Sequence, residues 1–175
     1  MNTWVKAQFA SGLATIDEIL TVRLGASSIE LSSEGGDATI DDASLVSSVL
    51  ELSLWLHTGN RVVVVTSRSA ACVYRVSLSD MGVQELDLMF RGEDDDLRHL
   101  TARAATDGSL LLLYERGLMC LNSDGFVRWH RLHDDISARF VDVDSKRVWL
   151  ESQWPQDVAG RRTGYDLESG QESSS

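Results

Sequence analysis

Residues 108–132 read Gly-Ser-Leu-Leu-Leu-Leu-Tyr-Glu-Arg-Gly-Leu-Met-Cys-Leu-Asn-Ser-Asp-Gly-Phe-Val-Arg-Trp-His-Arg-Leu, and few folds accommodate them. Ser109–Tyr114 and Leu118–Leu121 are dense apolar runs separated by the reversal Glu115-Arg116-Gly117, and Asn122-Ser123-Asp124-Gly125 turns the chain into Phe126–Leu132. Short apolar runs bounded by such turn signals predict an antiparallel meander. Side chains alternate faces along a strand, so Leu110 and Leu112 point one way and Leu111 and Leu113 the other, and both faces of this sheet need cover. A lone meander cannot supply it.

The same grammar recurs on either side. Val62–Val65 is four valines in a row, which favours a strand buried on both faces, because a β-branched residue packs on a pleat and loses rotamer freedom in a helix. Leu50–Leu56, Ala70–Leu78 and Val83–Met89 complete a second meander around it. Further strands are predicted at Trp4–Phe9, at the hairpin Leu20–Leu24 with Ser28–Ser32, at His99–Ala104, and at Ala138–Val143, Arg147–Ser152 and Thr163–Gly170. Glu34–Asp37 reads as a turn and Arg91–Asp96 as an acidic connector. Between Asp41 and Leu50 the apolar positions Leu45, Val46, Val49 and Leu50 suit a short helix capped by Asp41 or Asp42, in competition with a loop. The expected fold is all-β: one domain over residues 1–170 with a disordered tail at 171–175.

A chain of 175 residues can bury roughly 70% of its unfolded surface without help from a metal or disulfide. The thiols Cys72 and Cys120 each sit inside an apolar run rather than in a Cys-x-x-Cys spacing, so both are expected free. The first 20 residues show no secretory pattern and no apolar run reaches membrane-spanning length, which points to the cytoplasm. Net charge is −11. Such an acidic surface repels nucleic-acid phosphates and anionic lipid and attracts basic partners.

Laid over one another, the runs Val62–Ser79, Leu110–Gly125 and Val148–Gly170 share a pattern of strand, reversal, strand and polar turn. Val63, Leu111 and Val148 lie 48 and 37 residues apart, near the roughly 40 to 50 residue period of propeller blades. Leu-Met-Cys-Leu-Asn-Ser-Asp-Gly-Phe-Val-Arg-Trp at 118–129, echoed by Gly-Tyr-Asp-Leu-Glu-Ser-Gly-Gln at 164–171, resembles the blade repeat of quinoprotein-type (PQQ-like) β-propellers. The resemblance covers about residues 50–170 and implies a fold only. No cofactor follows from it, since the complete eight-bladed funnel with its quinone and calcium ligands exceeds this length. Three blade-like units plus an N-terminal sheet make either an open half-propeller or a β-sandwich. An open stack leaves an end to be covered by the N-terminal segment or by a second copy of the chain in a homodimer.

Reactive chemistry is sparsely signalled. His130 and His133, followed by Asp134 and Asp135, have a metal-like spacing, yet on a strand positions i and i+3 face opposite ways. Glu93, Asp94, Asp95 and Asp96 lack the glycine and terminal glutamate of a calcium loop. No Gly-x-Ser-x-Gly elbow, dinucleotide fingerprint or phosphate-loop lysine occurs. Trp55, Trp129 and Trp149 fall within strands and are expected in the core, whereas Trp154 stands beside Pro155 in a polar loop. The sequence therefore suggests a non-catalytic protein-binding module, of an inhibitor or immunity type, that covers a cationic partner through Asp94, Asp95, Asp96, Asp134, Asp135 and Trp154. The alternative is a small-ligand-binding or enzymatic β domain with a polar pocket at the sheet mouth.

Overall fold

The computed structural model describes residues 4–25, 28–41, 52–57, 61–66, 71–89, 100–114, 117–133, 138–152 and 160–173, with backbone alone at 52–53, 61–66, 71–72 and 87–89. Among these residues the chain is all-β and holds no helix. It forms two compact units, an N-terminal one up to Met89 and a C-terminal one from Leu100 onward.

In the N-terminal unit, β2 (Leu13–Ile16), β3 (Leu20–Leu24), β4 (Ser28–Ser33) and β5 (Gly36–Asp41) form one antiparallel meander. A second is built from β6 (Leu52–His57), β7 (Arg61–Thr66), β8 (Ala71–Ser77) and β9 (Val83–Met89). The N-terminal strand β1 (Trp4–Lys6) adds to its β6 edge. Strict alternation sends Ala14, Ile16, Leu20, Val22, Ile29, Leu31, Ala38 and Ile40 to the inner face of β2–β5. There they pack with Leu54, Leu56, Tyr74, Val76 and Leu78 of the second sheet, the two-residue periodicity turning one face of each sheet into core.

The C-terminal unit repeats this plan. β10 (Thr101–Ala104), β11 (Leu110–Tyr114), β12 (Gly117–Leu121) and β13 (Val127–Leu132) form one meander. β14 (Ala138–Val143), β15 (Arg147–Ser152), β16 (Arg161–Asp166) and β17 (Glu172–Ser173) form the other. Every residue of β11 and β12 is buried, as the leucine run requires. Leu111, Leu113, Leu118, Cys120 and Trp129 pack against Val148, Leu150, Tyr165 and Leu167. Burying one such leucine contributes on the order of 1.5–3 kcal/mol.

The three meanders expected after residue 50 and an N-terminal sheet are all present, with β9, β14 and β15 at their expected bounds. Three strands go beyond the sequence reading: β2, β17, and β5, which begins at Gly36 inside the segment read as a turn. Glu172 and Ser173, placed in the tail by the sequence, pair with Tyr165 and Gly164. The helix or loop considered after Asp41 lies outside the described residues; Asp41 itself ends β5.

Candidate functional site

Asp94, Asp95, Asp96, Asp134, Asp135 and Trp154 all lie outside the described residues. Trp55 and Trp129 are buried and Trp149 is half-buried. No group of three or more His, Cys, Asp or Glu that could hold a metal occurs among the described residues. No helix among them is long and apolar enough to cross a membrane.

Many of the carboxylates serve turns. Asp166 Oδ1 accepts the amides of Glu168 (3.1 Å) and Ser169 (2.8 Å), while the Gly170 amide reaches the Asp166 carbonyl at 2.8 Å. Asn122 Oδ1 does the same for Asp124 (2.9 Å) and Phe126 (3.1 Å), so the two sequence echoes fold into similar reversals. Asp144 binds the amides of Lys146 and Arg147, and Asp80 that of Gly82. These backbone hydrogen bonds hold the carboxyls of Asp80, Asp144 and Asp166 below the usual carboxylate range. Glu151 is lowered by its hydrogen bond from Arg139, with Arg162 at 3.7 Å adding to it across β14, β15 and β16.

The densest polar cluster joins β13 to the β16–β17 reversal. At β13 the register slips, pairing Leu121 with Val127 and Cys120 with Trp129, so Arg128 is the extra residue of a β-bulge. On a regular strand Arg128 and Trp129 would point to opposite faces; the bulge lets both reach one acceptor. Trp129 Nε1 donates to the Leu167 carbonyl at 2.9 Å and Arg128 Nη1 to the same oxygen at 3.2 Å. Arg128 also pairs with Asp107 at 2.8 Å and approaches Glu168 at 3.8 Å. Asp107 in turn accepts the Ser109 hydroxyl and amide. Burial pushes the Asp107 carboxyl up, but the hydrogen bonds from Ser109 and Arg128 outweigh it and the net shift is downward; Arg128 is raised by its bond to Asp107. Arg131 completes the joint, Nε donating to Gly170 O and Nη2 to Ser169 O, both at 3.1 Å. Gly170 is required here. Its φ is +65°, and a Cβ would stand 2.5 Å from Trp129 Cδ2.

Ser109 is fully buried with its hydroxyl committed to Asp107, and burial pushes the Cys120 thiol up to about 12. At neutral pH that thiol stays protonated, which suits packing rather than nucleophilic attack. The cluster is a structural joint.

Two surfaces among the described residues combine open space with uneven charge. The meander β2–β5, with its turns, carries six carboxylates, Asp17, Glu18, Glu30, Glu34, Asp37 and Asp41, against one base, Arg23. All six are exposed, and among the described residues Asp37 alone is engaged, by the Ser32 hydroxyl at 2.5 Å. Its outer face is a shallow hollow of about 360 Å³ lined by Thr21, Arg23, Glu30, Ser32, Asp37 and Thr39. In the C-terminal unit, a cleft of about 670 Å³ opens beside the joint between β13 and β16–β17, with Arg131, His133, Arg161, Thr163, Gln171 and Glu172 among its lining. Sequence reading missed the acidity of the first meander because its charges are spread over 25 residues of strands and turns, with no stretch longer than Asp17-Glu18.

Fold and surface define an all-β protein of antiparallel meanders with an acidic N-terminal face. No protein-family model and no curated protein matches the chain. Among solved structures it is similar to a protein of unknown function from Bacteroides caccae, at 9% identity and a TM-score of 0.37, over 93% of this chain and 60% of that one. The chain thus spans less than two thirds of that structure's length.

Proposed function

We propose that the chain is a non-catalytic protein-binding module, of the inhibitor or immunity type, that covers a basic protein partner in the cytoplasm. The observation that carries this reading is the β2–β5 meander, where six exposed carboxylates face solvent with a single arginine among them. A surface of one sign steers an oppositely charged partner and speeds its encounter. Asp94, Asp95, Asp96, Asp134 and Asp135 extend the acidity in sequence, and Trp154 supplies an aromatic anchor of the kind enriched at binding hot spots.

In this reading the three meanders after residue 50 are blade-like units of a partial propeller of quinoprotein type, and a second copy covers the open end. Trp129 seated on the next meander's Leu167 carbonyl and Gly170 supports the blade reading, because it joins the two echoed turns in one contact. Light scattering at high concentration tests the pairing: a dimer supports it, and monomer alone refutes it.

Affinity capture from the native cell, with mass identification, supplies the partner. Replacing Asp94, Asp95 and Asp96 with asparagine should then slow association and weaken its salt dependence at nearly unchanged thermal stability, and Trp154→Ala should mainly speed dissociation. A partner bound equally well by all these variants and by one neutralised in β2–β5 would overturn the proposal.

A further inference from the structure

The cleft beside β13 differs in charge from the β2–β5 face. In a protein of net charge −11, its described lining includes Arg131, Arg161 and His133 with one carboxylate among the described residues, Glu172. We infer that this cleft binds a small organic anion through a carboxylate or phosphate group held by Arg131 and Arg161.

Arg131 is the preorganised element. Two of its guanidinium nitrogens are fixed on the carbonyls of Gly170 and Ser169, which leaves Nη1 as the unengaged end of a planar, immobilised cation. A guanidinium already held in place loses little further freedom on binding, and its fork geometry matches an oxyanion better than an ammonium does. Arg161 is the mobile element. It stands on the edge of β16 with a side chain 67% exposed, and its ion pair to Glu172 is long, at 3.6 Å. An exposed pair of that length contributes about 0–1 kcal/mol, so an incoming oxyanion can displace the carboxylate at small cost. On the same lining, Thr163 is buried and offers a hydroxyl, and Gln171 an amide, both neutral donors able to orient a ligand. The cleft's volume, about 670 Å³, lies within the range of metabolite pockets, roughly 300–1,000 Å³. Electrostatics and size together select an anion larger than a bare halide. The inference is independent of the basic protein partner, since the two surfaces lie on different sheets and carry opposite sign.

The experiment titrates the full chain with inorganic phosphate and, separately, with citrate at matched ionic strength, following backbone amide shifts by NMR. Saturable shifts at Thr163, Gln171 and Glu172 are expected for at least one probe: phosphate alone assigns a phosphate ligand, citrate alone a carboxylate, and both a general oxyanion site. Arg161→Gln, at an exposed position that leaves the joint intact, should weaken that affinity about tenfold, the loss of one charge-assisted pair. Arg131→Gln should abolish it; where that variant fails to fold, Arg161→Gln decides alone. Shifts scattered over the surface, no saturation with either probe, or unchanged affinity in Arg161→Gln would each overturn the inference.

Discussion

The two units solve one packing problem with volume placed on opposite sides of the joint. In each, a reversal leading into the last strand of one meander meets the corresponding reversal of the next. In the C-terminal unit the first meander contributes a large residue, Trp129, and the second makes room with Gly170 at φ +65°. In the N-terminal unit the first meander contributes the small pair Gly35-Gly36, and the second fills the space with Met81, itself left-handed at φ +52°. Gly36 lies against Met81, whose sulfur accepts the Ser33 hydroxyl at 3.2 Å, and a Cβ on Gly35 would collide with the Leu78 carbonyl. Leu78 and Leu167 each follow the preceding strand directly, and each presents its carbonyl to the neighbouring sheet. The backbone arrangement is shared while side-chain volume moves across it. The C-terminal joint adds charged hydrogen bonds, through Arg128, Asp107 and Arg131.

The largest expected effect comes from emptying the C-terminal joint. Trp129→Ala removes a buried ring and leaves the Leu167 carbonyl with only the longer bond from Arg128, and should cost about 3–5 kcal/mol. Denaturant unfolding measures the loss, and hydrogen exchange should quicken in β13–β16 well before β2–β5. Equal acceleration in both would mean that the joint is not local to its unit.

Filling the glycines should cost less. Gly170→Ala meets both the Trp129 ring and a left-handed backbone, for about 2–4 kcal/mol, whereas Gly35→Ala meets one carbonyl, for about 1–3 kcal/mol. Thermal melts rank them, and a harmless Gly170→Ala would refute the tight seat described for Trp129.

Acid should then separate the units further. Carboxyls lowered by native hydrogen bonds contribute stability that is complete above their unfolded pKa, near 4, and is lost as pH falls through the lower native value. Asp107, Asp144, Glu151 and Asp166 are lowered in the C-terminal unit, and among the described residues Asp80 in the N-terminal one. Exchange followed from pH 5 down to about 2 should therefore show β14–β17 loosening more than β2–β5. The smallest effect is a negative one: Cys120, with its thiol pushed up to about 12 and no exposure, should resist alkylation at neutral pH until the chain unfolds.

Strands were legible where apolar runs were dense: Val62–Val65 falls within β7, and Leu110–Leu113 announces burial on both faces by composition alone. They were harder where the signal was thin, as at β2, four residues with one buried alanine and one isoleucine. The joint was half legible. Trp129 and the Asn122 and Asp166 turns stood out, but the bulge that brings Arg128 beside Trp129 is a register slip, and register depends on the partner strand. The cleft was not legible at all, because Arg131 and Arg161 are 30 residues apart in sequence and meet only through the pairing of sheets.

The central functional claim is that the acidity of the β2–β5 meander steers a basic protein. Its most direct test is the association rate of the captured partner at low and at physiological ionic strength, for the native chain and for one carrying Asp17→Asn, Glu18→Gln, Glu34→Gln and Asp41→Asn. The four side chains are exposed and engage in no hydrogen bond or ion pair among the described residues, so the variant should fold with nearly unchanged stability. Association at low ionic strength should slow roughly tenfold and lose most of its salt dependence. An unchanged rate with an unchanged salt slope would contradict the claim.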